Sequence, residues 1–208
     1  MALKILGKAA SINVRKVLWT CHELGLAVER EDWGSGFQST DTPAFRALNP
    51  NAMVPVLVDD DFVLWESNAI CRYLALREGR HDLLGPGARE RALVEQWMDW
   101  QATELNNSWR YVFMSRVRNS PAHTDAQALL AGEAGWTRHM RILDGQLARS
   151  GAFVTGHRFT LADVVLGLSA QRWFTTPLPR PELLAVSAWF ERLTQREGFR
   201  LHGRNGLP

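Results

Sequence analysis

Cysteine is scarce in this chain. Only Cys21 and Cys71 are present, far apart and in no Cys-x-x-Cys pair. That excludes a disulfide framework, and no Cys/His spacing suits zinc, so no metal is expected. Long apolar runs are missing too, and none approaches the roughly 20 residues of a membrane span. No cluster of Lys and Arg is dense enough to mark a nucleic-acid face, and the basic residues, mostly arginine, lie scattered. The opening stretch MALKILGKAASINV holds too short an apolar run for a secretory signal. Repeats and low-complexity tracts are absent. Together these absences predict a reduced, cytoplasmic protein with no membrane and no nucleic-acid partner.

What remains is ordinary for a globular chain. There are 208 residues, 46% hydrophobic and 22% charged, with a formal charge of +2. That length suggests one or two domains, large enough to fold without covalent staples. Nine tryptophans are the one excess, and they suggest large interfaces, a roomy pocket or both.

The chain divides near residue 80. Before it, short apolar runs alternate with helical patterns: a strand over 2–6, a helix from Ser11 to Leu24, a weaker strand over 27–33. A short helix over 43–48 follows. Val54 to Val58 and Phe62 to Trp65 make a hairpin around an Asp-rich turn. Ser67 opens a helix with Ile70, Tyr73 and Leu74 on its apolar face. Residues 81–88, with Gly85-Pro86-Gly87, read as a linker. From 89 to 208 the patterns are helical. One long helix covers 89–118, with Leu93, Trp97, Trp100, Glu104 and Asn107 near one stripe. Others cover 124–149, 160–175 and 181–197. The fold class is therefore an α/β domain over 1–80 and an all-α domain over 89–208. Small-molecule sites favour the seam between two such units.

Several residues could carry chemistry. If the Val54–Pro55 bond is cis, Val54 presents its backbone groups outward; the alternative is an ordinary trans proline at a strand edge. Ser67 is a good N-cap, and a helix N-terminus holds a carboxylate. Glu66 beside it suits an ammonium, so the pair matches the two ends of an α-amino acid; a plain cap is the alternative. Ser11 is either the N-cap of the first helix or a hydroxyl aimed at a ligand thiol, and Asn13 adds a second donor. Arg15 and Lys16 sit where the helix dipole disfavours cations, a cost that a bound anion would offset. Thr160 to Asp163 has capping-box spacing and reads as structural. Cys21 and Cys71 read as packing.

The order of these features is more specific than any of them alone. Asn49-Pro50 leads to Val54-Pro55-Val56-Leu57, then a hairpin, then Glu66-Ser67-Asn68-Ala69-Ile70 and Tyr73-Leu74. This resembles the glutathione S-transferase family, in which an NP-x-x-x-VP-x-L strand precedes an ES-x-AI-x-x-YL helix. Ser11-Ile12-Asn13-Val14-Arg15 is similar to the serine motif of theta-like bacterial members. Phe159 to Asp163 matches the family's capping motif. The resemblance runs from residue 3 to about 197.

It implies a thioredoxin-like first domain, an all-helical second domain, a homodimer and glutathione as co-substrate. It also implies roles. Val54, with Pro55 cis and Met53 beside it, holds the cysteinyl part of glutathione. Glu66 and Ser67 hold the γ-glutamyl end. Ser11, with Asn13, activates the sulfur. Asn51, Ala52 and Met53 stand where some members carry a His or Lys for the glycyl carboxylate, so Gln38 or a backbone group is expected to serve. Trp100, Thr103, Asn107, Arg110, Phe113 and Met114 are expected to line the electrophile site. Arg110 suits an acidic electrophile such as a 2-halo carboxylate, or it is a solvated helix residue.

The implied function is thus a detoxifying glutathione transferase that adds the thiolate to small electrophiles. A glutathione peroxidase or dehalogenase and a non-catalytic binding protein are the alternatives. No cysteine near Ser11 argues against thiol exchange, and the intact site residues argue against a scaffold.

Overall fold

A computed structural model describes residues 3–206. Ala2, expected in the first strand, lies outside them. Strand β1 (Leu3–Leu6), helix α1 (Ile12–Leu24) and strand β2 (Val28–Glu31) form the first unit, with β2 parallel to β1. Helix α2 (Pro43–Leu48) leads to β3 (Val56–Asp59) and β4 (Phe62–Trp65), then helix α3 (Ser67–Arg77). The sheet runs β2-β1-β3-β4, and β3 is antiparallel to both neighbours. Leu6 faces Val56, and Leu57 faces Leu64.

The first domain therefore has the mixed four-stranded sheet and flanking helices of a thioredoxin-like fold. Gly7 ends β1 at φ +152° because a Cβ there would come 2.5 Å from Val14 and 3.1 Å from Val54. Its lack of a side chain lets α1 and the Val54 turn close on each other.

The expected linker is not bare. It holds a short helix, α4 (His81–Leu84), whose Leu83 and Leu84 are buried. The expected long helix begins at Ala88 and is continuous to Arg116, but it is not uniform. Helix α5 (Ala88–Trp100) passes through a π-helical turn (Gln101–Leu105) into α6 (Asn106–Arg116). The buried face is Val94, Met98, Gln101, Leu105, Trp109 and Val112. The expected stripe lies one residue earlier. Leu93, Glu104 and Asn107 are exposed, and Trp97 and Trp100 only half-buried.

Helices α7 (Ala126–Ser150), α8 (Leu161–Thr175) and α9 (Leu184–Leu193) complete the second region, and a π-helical turn (Phe199–Gly203) follows. The last helix is thus shorter than the expected 181–197 segment.

Helix α8 is the axis of this region, buried at every residue from Leu161 to Trp173. Its head is fixed by Asp163, whose side chain accepts hydrogen bonds from Val154 N, Thr160 N and Trp189 Nε1 at 2.9 Å each. Thr160 Oγ1 adds a fourth at 3.1 Å. Burial still pushes the carboxyl pKa up to about 6.

The two regions share one core. Trp19 of α1 packs against Phe159 and Phe199, with ring centroids 5.8 and 4.9 Å apart. Gly198 leaves it room, since a Cβ there would lie 2.5 Å from the Trp19 ring. Trp19, Trp136, Trp173 and Trp189 are fully buried, so much of the tryptophan excess fills the interior.

Candidate functional site

The site begins with a loop that asparagine organises. Buried Asn49 ends α2. Its Nδ2 donates to Met53 O at 2.7 Å, and its Oδ1 accepts from Asn51 N at 3.0 Å. Asn side chains bond nearby backbone in this way and so replace regular structure with a fixed turn. The turn delivers Val54 to the head of β3, and the Val54–Pro55 bond is cis.

On the other side, the chain leaves β4 through Glu66. Its φ of +72° is unusual for a residue with a side chain. Sequence reasoning made Ser67 the N-cap. In the structure Glu66 holds that place, its carbonyl accepting from Ile70 N at 2.9 Å, and Ser67 is the first helical residue. The capping carbonyl belongs to the residue that makes the sharp turn, and Ser67 has already adopted helical geometry. The Ser67 N–H is therefore one of the free donors at a helix start. Its hydroxyl has no partner among the described residues. The Glu66 side chain makes no cap hydrogen bond and is exposed.

Between these two turns lies a cavity of about 290 Å³. Asn13, Asn49, Asn51, Met53, Val54, Pro55, Glu66 and Ser67 line it. One wall thus offers backbone groups, another a carboxylate beside a helix N-terminus. Ser11 caps α1 next to the cavity but is not among its lining. Its backbone N–H donates to Lys8 O and its carbonyl accepts from Arg15 N, while its hydroxyl makes no cap hydrogen bond. Gln38 is exposed and stands apart from the cavity, in the loop bridged to Trp33. Asn49 and Asn51 were not expected in the lining. The Asn-Pro-Asn run was their signal, since asparagine so placed tends to hold a turn.

Arg15 and Lys16 do not face the cavity as free cations. Arg15 donates to His202 O at 2.8 Å and Gly203 O at 2.9 Å. Lys16 donates to Gln101 Oε1 at 2.8 Å and Asn68 Oδ1 at 3.3 Å. Burial pulls the Lys16 pKa down to about 8 and that of Arg15 to about 10.

The six residues expected at the electrophile site fall into three environments along α5 and α6. Trp100 is half-buried, edge-on to Trp97 at 5.1 Å and 5.8 Å from His139. Phe113 belongs to the core: it packs on Trp109, and the Arg172 guanidinium stacks over it at 4.0 Å. Thr103, Asn107 and Arg110 are exposed, and the Thr103 hydroxyl is taken by Asp99 O at 3.0 Å. Met114 is half-buried. None of the six lines the cavity at the Val54 turn.

Cys21 and Cys71 are buried, and burial pushes their pKa values up to about 12 and about 11. Among the described residues no group of His, Cys, Asp or Glu is arranged to hold a metal, and no helix is long and apolar enough to cross a membrane.

Comparison with known proteins fits this geometry. The model of the glutathione S-transferase N-terminal domain matches residues 10–77. Glutathione S-transferase GstB of Escherichia coli is 37% identical over 199 residues, covering 93% of this chain and 94% of its own. Probable elongation factor 1-gamma 2 of Arabidopsis thaliana is 30% identical over 86% of this chain but only 43% of its own length. Among solved structures, the theta-class glutathione S-transferase of Xanthomonas axonopodis pv. citri with glutathione bound is 38% identical. It superposes with a TM-score of 0.92 over 100% of this chain and 99% of its own. On sequence, fold and the turns that frame the cavity, this chain belongs to the glutathione S-transferase family.

Proposed function

We propose that this protein is a glutathione transferase that binds reduced glutathione, holds its sulfur as the thiolate and joins it to small electrophiles. The observation that carries the reading is the cavity between the Val54–Pro55 turn and the Glu66–Ser67 helix start. It offers an extended peptide one backbone edge and offers an α-amino acid both of its counter-groups. In this reading Val54 pairs with the cysteinyl unit, with Pro55 and Met53 at its sides. Glu66 takes the γ-glutamyl ammonium, and Ser67 takes its carboxylate. Asn51 replaces Gln38 as the polar group toward the glycyl end.

Ser11 and Asn13 hold the sulfur. A free thiol, with a pKa near 8.5, is mostly protonated at neutral pH. Lowering it by about two units takes roughly 2.7 kcal/mol, the scale of one or two hydrogen bonds to sulfur plus a helix dipole. The uncommitted Ser11 hydroxyl supports this role. The thiol proton leaves to solvent. The sulfur pair then forms the S–C bond as the leaving group departs with its own pair.

The electrophile lies along α6, and exposed Arg110 selects acidic ones. Because Cys21 and Cys71 are buried, transfer by glutathione's own sulfur is favoured over exchange through a protein thiol. The protein acts in the cytoplasm in detoxification and works as a homodimer. Exposed Phe62, Trp65, Leu76 and Leu93 are apolar surface for a second copy to cover.

The test is an ultraviolet titration of bound glutathione from about pH 5 to 9. Wild type should carry thiolate at neutral pH, with an apparent pKa about two units below that of free thiol. Ser11→Ala should return most of that shift. Saturable binding with no thiolate in wild type would overturn the catalytic reading.

A further inference from the structure

Lys16 stands out among the cations. The chain uses arginine 21 times and lysine only three times, yet a lysine occupies this buried position on α1. Its ammonium donates to two neutral amides, Asn68 Oδ1 and Gln101 Oε1, and no carboxylate is in ion-pair contact with it among the described residues. A buried charge with only neutral partners is costly, and an anion brought near it lowers that cost.

The amides lead to both halves of the site. Asn68 follows Ser67 at the head of α3, and its Nδ2 is fixed to Met98 O at 2.9 Å. Gln101 opens the π-helical turn, and its Nε2 donates to Ser169 Oγ of α8 at 3.0 Å. Ser169 Oγ in turn donates to Val165 O at 3.1 Å. π-turns in a helix are frequent at functional places. Here the turn brings an amide to the lysine. Lys16 also lies one helical turn past Asn13, on the neighbouring position of the same face.

We propose that Lys16 is a positioning residue for the bound tripeptide. Its positive charge, held between α1, α3 and the π-turn, favours the anionic form of glutathione in the cavity that Ser67 and Asn13 line. The proposal rests on the glutathione reading and names the charge that the reading otherwise lacks. Ser11 and Lys16 are five residues apart, about 7.5 Å of helix rise. At an effective dielectric of about 20, a unit charge at that range moves a thiol pKa by about one and a half units, and solvent screening at an open cavity brings this toward one.

The other charged groups acting on Lys16 are few. Cys71 of α3 and Glu66 at the cavity rim favour its protonated form, and Arg172 of α8 disfavours it. Cys71 is bonded by Thr20 Oγ1 at 3.2 Å and stays a neutral thiol, so among the described residues Glu66 is the one carboxylate acting on the lysine. That acid is the one assigned to the substrate ammonium. Binding therefore draws Glu66 toward the ligand and leaves Lys16 to the ligand's anions.

The test compares wild type, Lys16→Met, Lys16→Arg and Gln101→Glu by ultraviolet titration of bound glutathione and by thermal melting. Lys16→Met should change the melting temperature little, since relief of a buried charge is offset by the two buried amide oxygens left without their donor. It should raise the bound-thiol pKa by about one unit, about threefold less thiolate at neutral pH. Lys16→Arg should restore part of that loss. Gln101→Glu places a counter-charge on the ammonium and should mimic Lys16→Met without removing the lysine. An unchanged thiol pKa in both Lys16→Met and Gln101→Glu, with wild type still forming thiolate, overturns the proposal and leaves the transferase reading intact. If wild type forms no thiolate, the transferase reading itself fails first.

Discussion

Around the candidate cavity, the lining groups sit on turns; along α6, the exposed polar groups ride on a continuous helix. The difference has a physical cause. A cavity for a peptide needs free backbone donors and acceptors, and helices leave these only at their ends. Asn49 stops α2, Gly7 stops β1, and Glu66 reverses the chain before α3. Each stop needs a particular residue type, so each leaves a mark in the sequence. The α6 face needs only side chains of suitable size, and helix geometry is indifferent to which of them point outward. Substitutions on the exposed face of α6 should therefore be tolerated by the fold, while the turns are held by their own chemistry.

The strongest way to break this comparison is to unseat the helical region. Asp163→Ala leaves up to four buried donors without an acceptor. It should cost about 3–5 kcal/mol, read as a lower urea midpoint at unchanged slope. Activity should fall only as folded protein is lost. A smaller and sharper effect is expected at the cavity. Ser67→Ala should raise KM for glutathione about tenfold with kcat nearly constant, since it removes binding shared by ground and transition states. An equal fall in kcat would show that α3 shapes the reacting sulfur as well.

The α6 face should respond more selectively. Arg110→Ala should lower kcat/KM for an acidic electrophile about three- to tenfold and leave a neutral one unchanged. Equal loss on both would return Arg110 to a solvated surface role. The mildest outcome concerns the thiols. At pH 8 the native protein should resist thiol reagents until it unfolds, because Cys21 and Cys71 hold their protons to about pH 12 and 11. The folded chain keeps protons that the unfolded chain releases near 9.0, so this contribution to stability is full below pH 9 and is lost as pH rises through 11.

The same contrast governs how far the sequence could be read. The helix over 43–48 and the strand over 62–65 fall where their patterns placed them. Both have hard edges: Pro43 opens the one, and the Asp-rich turn opens the other. The cavity lining was legible for Asn13, Met53, Val54, Pro55, Glu66 and Ser67, which cluster at such edges. Gln38 was not, because the loop after β2 has no periodicity to aim it. The buried face of α5 and α6 was set one residue off. An apolar stripe with Trp97 and Trp100 competes with one that contains Gln101, and hydrophobicity alone prefers the tryptophans. Only the partners of Gln101, Lys16 and Ser169, make it an interior residue, and they lie 85 and 68 positions away in the chain.

Arg15 carries a consequence for biosynthesis. Its guanidinium, on the helix that follows Ser11, is bonded to carbonyls 187 and 188 residues further on. A ribosome therefore finishes the strands and turns of the candidate cavity long before it makes the segment that completes the seating of their first helix. The nascent chain carries that helix against α3, but without the two carbonyls of His202 and Gly203. Contacts this remote slow folding, because a long loop must close before they form. The final setting of α1 should thus come late, with the arrival of residue 203, rather than when the first domain leaves the ribosome.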